Sequence, residues 1–228
     1  MIKILFLSIP LLITHAYAQP KFIGDVYLKD NKKDGIHFRL LKPIKYVDQY
    51  GETWTTPTGY ETDGASIPRV AWTAVGSPFT GKYLRSAIIH DYACDKKEKD
   101  WKKVHRTFYE AMLVDGVPLQ QAKIMYAAVY HKGPRWEIKK VCSSMTISGG
   151  WLGPFELPLP CKLSNGNPAL SGSIHNVIKG DNINVNIEYK DEAVDLKYSQ
   201  PTDQKVNELE NSIKQADLSI DEIENFKF

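Results

Sequence analysis

Three consecutive segments in the middle of the chain repeat apolar residues at the spacing of an α-helix, and they restrict the fold more than any other part of the sequence. They span 81–97, 99–116 and 118–133. Pro118 is favoured in the first turn of a helix, and Gly133 is favoured just beyond the last turn. Because the links between the segments are short, the three helices must pack on one another. The sequence therefore predicts a helical core.

Strand patterns flank this helical core. Residues 22–63 hold runs of β-branched and aromatic residues separated by the turn residues DNKKDG. Residues 141–198 are irregular at first and then alternate between apolar and polar, with KGDN as a hairpin signal. Residues 199–228 are polar and acidic, which is typical of a mobile tail or a weak amphipathic helix. We predict an α+β fold with short N-terminal β-strands and the three-helix core in 19–140, a C-terminal β-hairpin and a flexible tail.

The first eighteen residues have the pattern of a secretory signal peptide. Lys3 precedes the apolar run ILFLSIPLLI, and the small residues of AYA precede Gln19. Cleavage after Ala18 predicts a protein exported to the periplasm or the extracellular space.

The cysteines fit an oxidising compartment. Cys142 and Cys161 bracket a stretch rich in glycine and proline, so we expect a disulfide that closes this loop. Cys94 would then be a free thiol, and a buried small apolar side chain is the simpler interpretation of it.

The distribution of charge argues against one class of partner. The formal net charge is +2, and the lysines are scattered rather than gathered into a basic stripe with stacking aromatic residues. We therefore do not expect nucleic acid as a partner.

Two polar motifs interrupt the apolar pattern and suggest a site. The first helix segment contains AIIHDYAC, in which His90 and Asp91 are adjacent and point about 100° apart on a helix. His90 can then transfer a proton while Asp91 holds a cation beside it. Upstream, the loop TDGASIP offers Asp63 next to exposed carbonyls, which are the oxygen ligands that calcium prefers. A cation shared by Asp63 and Asp91 would polarise a substrate carbonyl.

These motifs carry a resemblance to two groups of proteins. The TDGASIP loop followed by the HDY helix resembles a bacterial and phage family, the domain of unknown function 1353 family, with its TDxASxPR loop and HDY helix. The core is also similar to secreted bacterial and fungal phospholipases A₂. That second resemblance implies a hydrolase of phospholipid esters that works at a membrane surface. It implies His90 as the base, with Asp91 and Asp63 as calcium ligands.

The second helix departs from both patterns. Both relatives carry an aspartate that orients the catalytic histidine, and this chain has His105 three residues before Phe108. His105 can accept a hydrogen bond from His90, but it supplies no negative charge. Two alternatives therefore stay open. One is a non-catalytic envelope or interaction protein on the same scaffold, and the other is a zinc-dependent cell-wall hydrolase that uses both histidines with an aspartate.

The expected disulfide predicts a simple thiol count. Protein exported to an oxidising compartment and denatured without reductant should react with one equivalent of a thiol reagent, from Cys94, and with three equivalents after reduction. Intact-protein mass spectrometry after alkylation gives the count. Three reactive thiols before reduction would contradict the Cys142–Cys161 disulfide.

Overall fold

The protein has an α+β architecture, with short strands, a three-helix core and a C-terminal hairpin. The structure is a computed structural model that describes residues 18–31, 37–62, 81–149, 163–164, 167–168 and 183–228. The predicted signal peptide lies outside these ranges except for its last residue. Within them, no helix is long and apolar enough to span a membrane.

Short antiparallel strands form two sheets in the N-terminal part. The first sheet has the order β1-β4-β5, with β1 at Lys21–Ile23, β4 at Ile44–Val47 and β5 at Thr53–Thr56. The second has the order β2-β3-β6, with β2 at Leu28–Asp30, β3 at Phe38–Leu40 and β6 at Glu61–Thr62. Alternate residues of β4 and β5 are buried, as the two-residue period of a strand requires. β6 ends beside the candidate site.

The three predicted helices are present. They are α1 (Leu84–Lys96), α2 (Trp101–Val114) and α3 (Leu119–Lys132), and α2 contacts both of the others. The side chain of Asp100 caps α2 by accepting hydrogen bonds from the backbone N–H groups of Lys102 and Lys103. Asp100 is therefore part of the helix start.

The first two helices bury different fractions of their surface. The predicted face of α2 is buried, including Val104, His105, Phe108 and Met112. In α1 the run 86–91 is buried on all sides, because α2 covers one side of the helix while β4 and β5 cover another. The polar residues His90 and Asp91 are thus held inside the fold.

A long antiparallel hairpin follows the core. β7 (Trp136–Gly149) pairs with β10 (Ile183–Asp195), with Trp136 opposite Asp195 at one end. The predicted turn KGDN lies outside the described residues. The sequence did not indicate β7, because several of its first residues are lysine or glutamate and are exposed, so the strand lacks a clear apolar alternation. Two short strands, β8 (Leu163–Ser164) and β9 (Asn167–Pro168), also pair with each other.

The C-terminal residues form two helices, so the expectation of a flexible tail gives way to the helical alternative. They are α4 (Asp203–Ala216) and α5 (Ile220–Glu224), and both contact α3. Leu209 and Ile213 of α4 are fully buried, as is Ile223 of α5. The His131 ring in α3 donates a hydrogen bond from Nε2 to the carbonyl oxygen of Ile223, at 2.7 Å. Apolar burial explains why this polar segment is ordered.

The packing of α4 gives a stability prediction. Leu209→Ala should lower the free energy of unfolding by about 2–5 kcal/mol, because it removes a fully buried side chain and leaves a cavity. The exposed neighbour substitution Asn207→Ala is the control and should change it by less than about 0.5 kcal/mol. Urea denaturation measures both values. Equal, small effects of the two substitutions would show that α4 does not pack on the core.

Candidate functional site

A pocket of about 520 Å³ opens where α1, β6 and the segment after α3 meet. Its wall includes His90, Asp91 and Cys94 of α1, together with Thr62 and Pro134. Two of the residues predicted to form a site therefore line one cavity. His105 lies behind them and is fully buried.

A chain of hydrogen bonds fixes the two histidines. His105 Nε2 lies 3.1 Å from the carbonyl oxygen of Pro134, and His105 Nδ1 lies 2.8 Å from His90 Nε2. Because a carbonyl oxygen can only accept, Nε2 of His105 carries a proton. Neutral His105 then has a bare Nδ1, so Nε2 of His90 is the donor between the rings. It follows that His90 Nδ1 carries a free lone pair.

Burial keeps both rings neutral. Loss of water lowers the pKa of His90 to about 3, because the charged imidazolium is disfavoured in the interior. Burial also lowers the pKa of His105 well below its ordinary value, and the neighbouring His90 lowers it further. The Pro134 carbonyl opposes this shift without reversing it. Both rings therefore keep the tautomers set by the hydrogen-bond chain at neutral pH.

Asp91 lies on the other side of the His90 ring. Its Oδ1 is 3.7 Å from His90 Nδ1, and its Oδ2 accepts a hydrogen bond from the hydroxyl of Thr62 at 3.3 Å. The residue is 5% exposed, so its carboxylate acts in a poorly solvated environment. The free lone pair of His90 thus has a carboxylate beside it.

The thiol of Cys94 lies next to the two imidazole rings. It lies one helical turn after His90 on α1, and its Sγ is 3.5 Å from His90 Nε2. The thiol is free, and burial raises its pKa, with Asp91 and Asp95 acting in the same direction. His90 Nε2, His105 Nδ1 and Cys94 Sγ all lie within 4.8 Å of one another.

Aromatic packing and one glycine hold this arrangement in place. The His90 ring lies on Phe108 with centroids 4.7 Å apart, and the edge of Trp101 meets His105 at 5.6 Å. Gly133 precedes the Pro134 carbonyl. A Cβ there would lie 2.2 Å from the Val129 carbonyl oxygen and 3.2 Å from His105 Cε1. Only glycine lets this segment approach the ring so closely.

The structure brings together part of the predicted site. His90, Asp91 and His105 converge, whereas Asp63 and Cys161 lie outside the described residues, so the shared cation and the disulfide stay predictions. Sequence reasoning missed the contribution of Pro134, because a backbone acceptor leaves no mark in a residue pattern. Cys94 could have been found from its spacing of four residues after His90, which places both on one helix face.

Comparisons with known proteins agree with one of the two resemblances. Residues 38–129 match the model of the family described as "Protein of unknown function (DUF1353)". This segment contains α1, α2 and most of α3, and therefore His90, Asp91, Cys94 and His105. The likeness to phospholipase A₂ is not confirmed by these matches.

Two curated bacterial relatives are each similar to about half of the chain. Uncharacterized protein y4iH of Sinorhizobium fredii is 44% identical over 115 residues, which is 50% of this chain and 48% of that protein. Uncharacterized protein y4jT of the same organism is 43% identical over 102 residues, which is 45% of this chain and 30% of that protein. The chain thus spans less than half the length of these relatives. No solved structure matches it significantly.

The buried histidines predict how stability depends on pH. The unfolded chain binds protons at about the ordinary histidine pKa of 6.5, whereas folded His90 stays neutral down to about pH 3. The free energy of unfolding is therefore unaffected by these rings above about pH 6.5. It decreases as the pH falls below that value, by up to about 1.4 kcal/mol per pH unit for each such ring, because the unfolded chain takes up protons that the folded rings do not.

Urea denaturation between about pH 7 and about pH 4 tests this dependence. The double variant His90→Gln, His105→Gln should be less stable at neutral pH and should lose stability less steeply on acidification. A slope equal to that of the unchanged protein would contradict the assignment of buried neutral rings.

Proposed function

We propose that this pocket is the active site of a metal-assisted hydrolase of phospholipid esters, with His90 as the general base. The observation that supports the proposal most is the hydrogen-bond chain through His105, which leaves the Nδ1 lone pair of His90 free beside Asp91. A base needs a bare nitrogen within reach of water and substrate. His90 is 4% exposed and lies in the wall of the pocket, so the proposal includes that water and substrate reach its Nδ1 through this pocket.

The proposed reaction has a simple proton balance. His90 Nδ1 takes a proton from water while the water oxygen attacks the ester carbonyl. The same proton then passes to the alcohol oxygen as the ester bond breaks. While His90 is protonated, the carboxylate of Asp91, 3.7 Å away, supplies the negative charge that His105 lacks.

The site offers oxygen donors, which are the type of ligand that calcium prefers. Asp91 offers a carboxylate and Thr62 a hydroxyl, which are hard donors of the type that calcium prefers, and the proposal adds the carboxylate of Asp63. When bound, the ion would polarise the ester carbonyl. Export through the predicted signal peptide and action at a phospholipid surface belong to the same proposal.

A specific observation favours a second candidate, a non-catalytic envelope or interaction protein. The imidazolium of a catalytic cycle is poorly stabilised, because burial lowers the pKa of His90 to about 3 and His105 brings no charge. In this candidate the two histidines serve only to pack and fix α1 against α2.

Substitution of His90 tests the hydrolase directly. His90→Gln keeps a hydrogen-bonding group toward His105 but removes the base, so fatty-acid release from phospholipid vesicles with calcium should fall by about 100-fold or more. His37→Gln, at another residue of the pocket wall, is the control and should change the rate only a few-fold. Equal rates for His90→Gln and the unchanged protein would contradict the role of His90.

Substitution of His105 separates the two candidates. In His105→Asp, a carboxylate accepts the hydrogen bond from His90 and adds negative charge, so the pKa of His90 should rise and hydrolysis should increase. His105→Asn, which accepts a hydrogen bond without charge, is the control. NMR titration of the His90 ring gives the pKa. A raised pKa without any hydrolysis would favour the non-catalytic protein.

A further inference from the structure

We infer that His90, Cys94 and His105 form a binding site for a soft divalent metal ion of the zinc class. Two imidazole nitrogens and one sulfur from two adjacent helices lie within 4.8 Å of one another. Nitrogen and thiolate donors of this kind are the usual ligands of zinc. These three ligands differ from the oxygen donors proposed for calcium, although Asp91 lies beside both sets.

Two of the three distances between the donor atoms are close to those of a zinc site, and the third, between His105 Nδ1 and Cys94 Sγ, is within 4.8 Å. Tetrahedral zinc, with Zn–N of about 2.0–2.1 Å and Zn–S of about 2.3 Å, sets two nitrogens about 3.3 Å apart and a nitrogen and sulfur about 3.5 Å apart. His90 Nε2 and His105 Nδ1 are 2.8 Å apart, and Cys94 Sγ is 3.5 Å from His90 Nε2. An ion that replaces the proton between the rings would only need to move them apart by about half an ångström.

Of the nitrogens that do not face the centre of the cluster, one has a hydrogen-bond acceptor and the other has a carboxylate nearby, beyond hydrogen-bond distance. His105 Nε2 lies 3.1 Å from the Pro134 carbonyl, and His90 Nδ1 lies 3.7 Å from Asp91. Metal-bound histidines usually donate their other N–H to a carbonyl or a carboxylate, which fixes the ring and strengthens the ligand. The cluster therefore has orienting partners as well as ligands.

Charge balance favours a divalent ion at this buried position. The metal would displace the proton of the Cys94 thiol, and a coordinated thiol is held as a thiolate. The thiolate and the Asp91 carboxylate together neutralise a charge of two. A buried ion that is paired in this way avoids most of the cost of an isolated charge in the interior.

Occupation of the cluster would regulate the site, and this consequence rests on the proposed function. With the metal on Nε2, the proton of neutral His90 moves to Nδ1, where it faces Asp91. His90 then has no lone pair for water, so zinc binding and base catalysis exclude each other. Zinc should therefore inhibit hydrolysis that calcium supports.

Metal titration of the full chain tests the site without any assay of activity. Chelator-treated protein should bind one equivalent of zinc by native mass spectrometry and calorimetry. With cobalt in place of zinc, it should show the near-ultraviolet absorption of a cobalt–thiolate bond. Cys94→Ser and His105→Gln should each weaken zinc binding by more than about tenfold, and Cys94→Ser should abolish the absorption.

The control is His131→Gln, which changes a buried histidine that bonds a backbone carbonyl away from the cluster, and it should bind zinc as the unchanged protein does. Circular dichroism of each variant shows whether it is folded. Absence of zinc binding by the unchanged protein, or full binding by folded Cys94→Ser, would overturn the site.

Hydrolysis separates this inference from the proposed function. Zinc binding together with loss of calcium-supported hydrolysis supports both the site and its regulatory effect. Zinc binding by a protein that hydrolyses no phospholipid, with or without zinc, supports the site and rejects the hydrolase. Hydrolysis that rises on zinc binding would overturn the inhibitory effect.

Discussion

The hydrogen bond between His90 and His105 determines what this pocket can do. It joins α1 to α2 in the interior, and its direction is set from outside the pair by the Pro134 carbonyl, which can only accept. The proton arrangement of both rings follows from that single acceptor. The bare nitrogen of His90 is therefore turned toward Asp91, and the sulfur of Cys94 meets the protonated nitrogen. The proposed base, Nδ1, and the proposed metal ligand, Nε2, are therefore the two nitrogens of the same His90 ring.

The rest of the fold positions the hydrogen bond between His90 and His105 and shields it from water. α1 lies between β4, β5 and α2, so His90 loses nearly all contact with water, and the two rings are packed against Phe108 and Trp101. Gly133 allows the chain after α3 to pass next to His105. Burial has opposite effects on the two uses of the ring. It makes the imidazolium of a base costly, and it keeps the neutral ring that a metal requires.

The sequence predicted the parts of this structure that depend on the repeat of apolar residues and on proline and glycine at the ends of helices. The helical repeat predicted α1, α2 and α3, and it placed His105 on the buried face of α2. The contact of His105 with His90 was expected from the resemblance, which places an orienting residue at this position of the second helix. The role of Pro134 could not be predicted, because it depends on a backbone carbonyl and a tertiary turn. β7 was missed because exposed polar residues obscure the alternation of a strand. A weak amphipathic helix was one of two alternatives for the C-terminal residues, but the packing of α4 on α3 depends on tertiary contacts that a residue pattern does not show.

The tautomer of His90 is the most direct measurement of this account. Nitrogen-15 NMR of the imidazole rings at neutral pH distinguishes a protonated from a bare ring nitrogen at each position. We predict Nε2–H and a bare Nδ1 for His90, and the same tautomer for His105, with both rings uncharged. A proton on His90 Nδ1 in metal-free protein, or a charged ring at either residue, would contradict the arrangement from which the proposed chemistry follows.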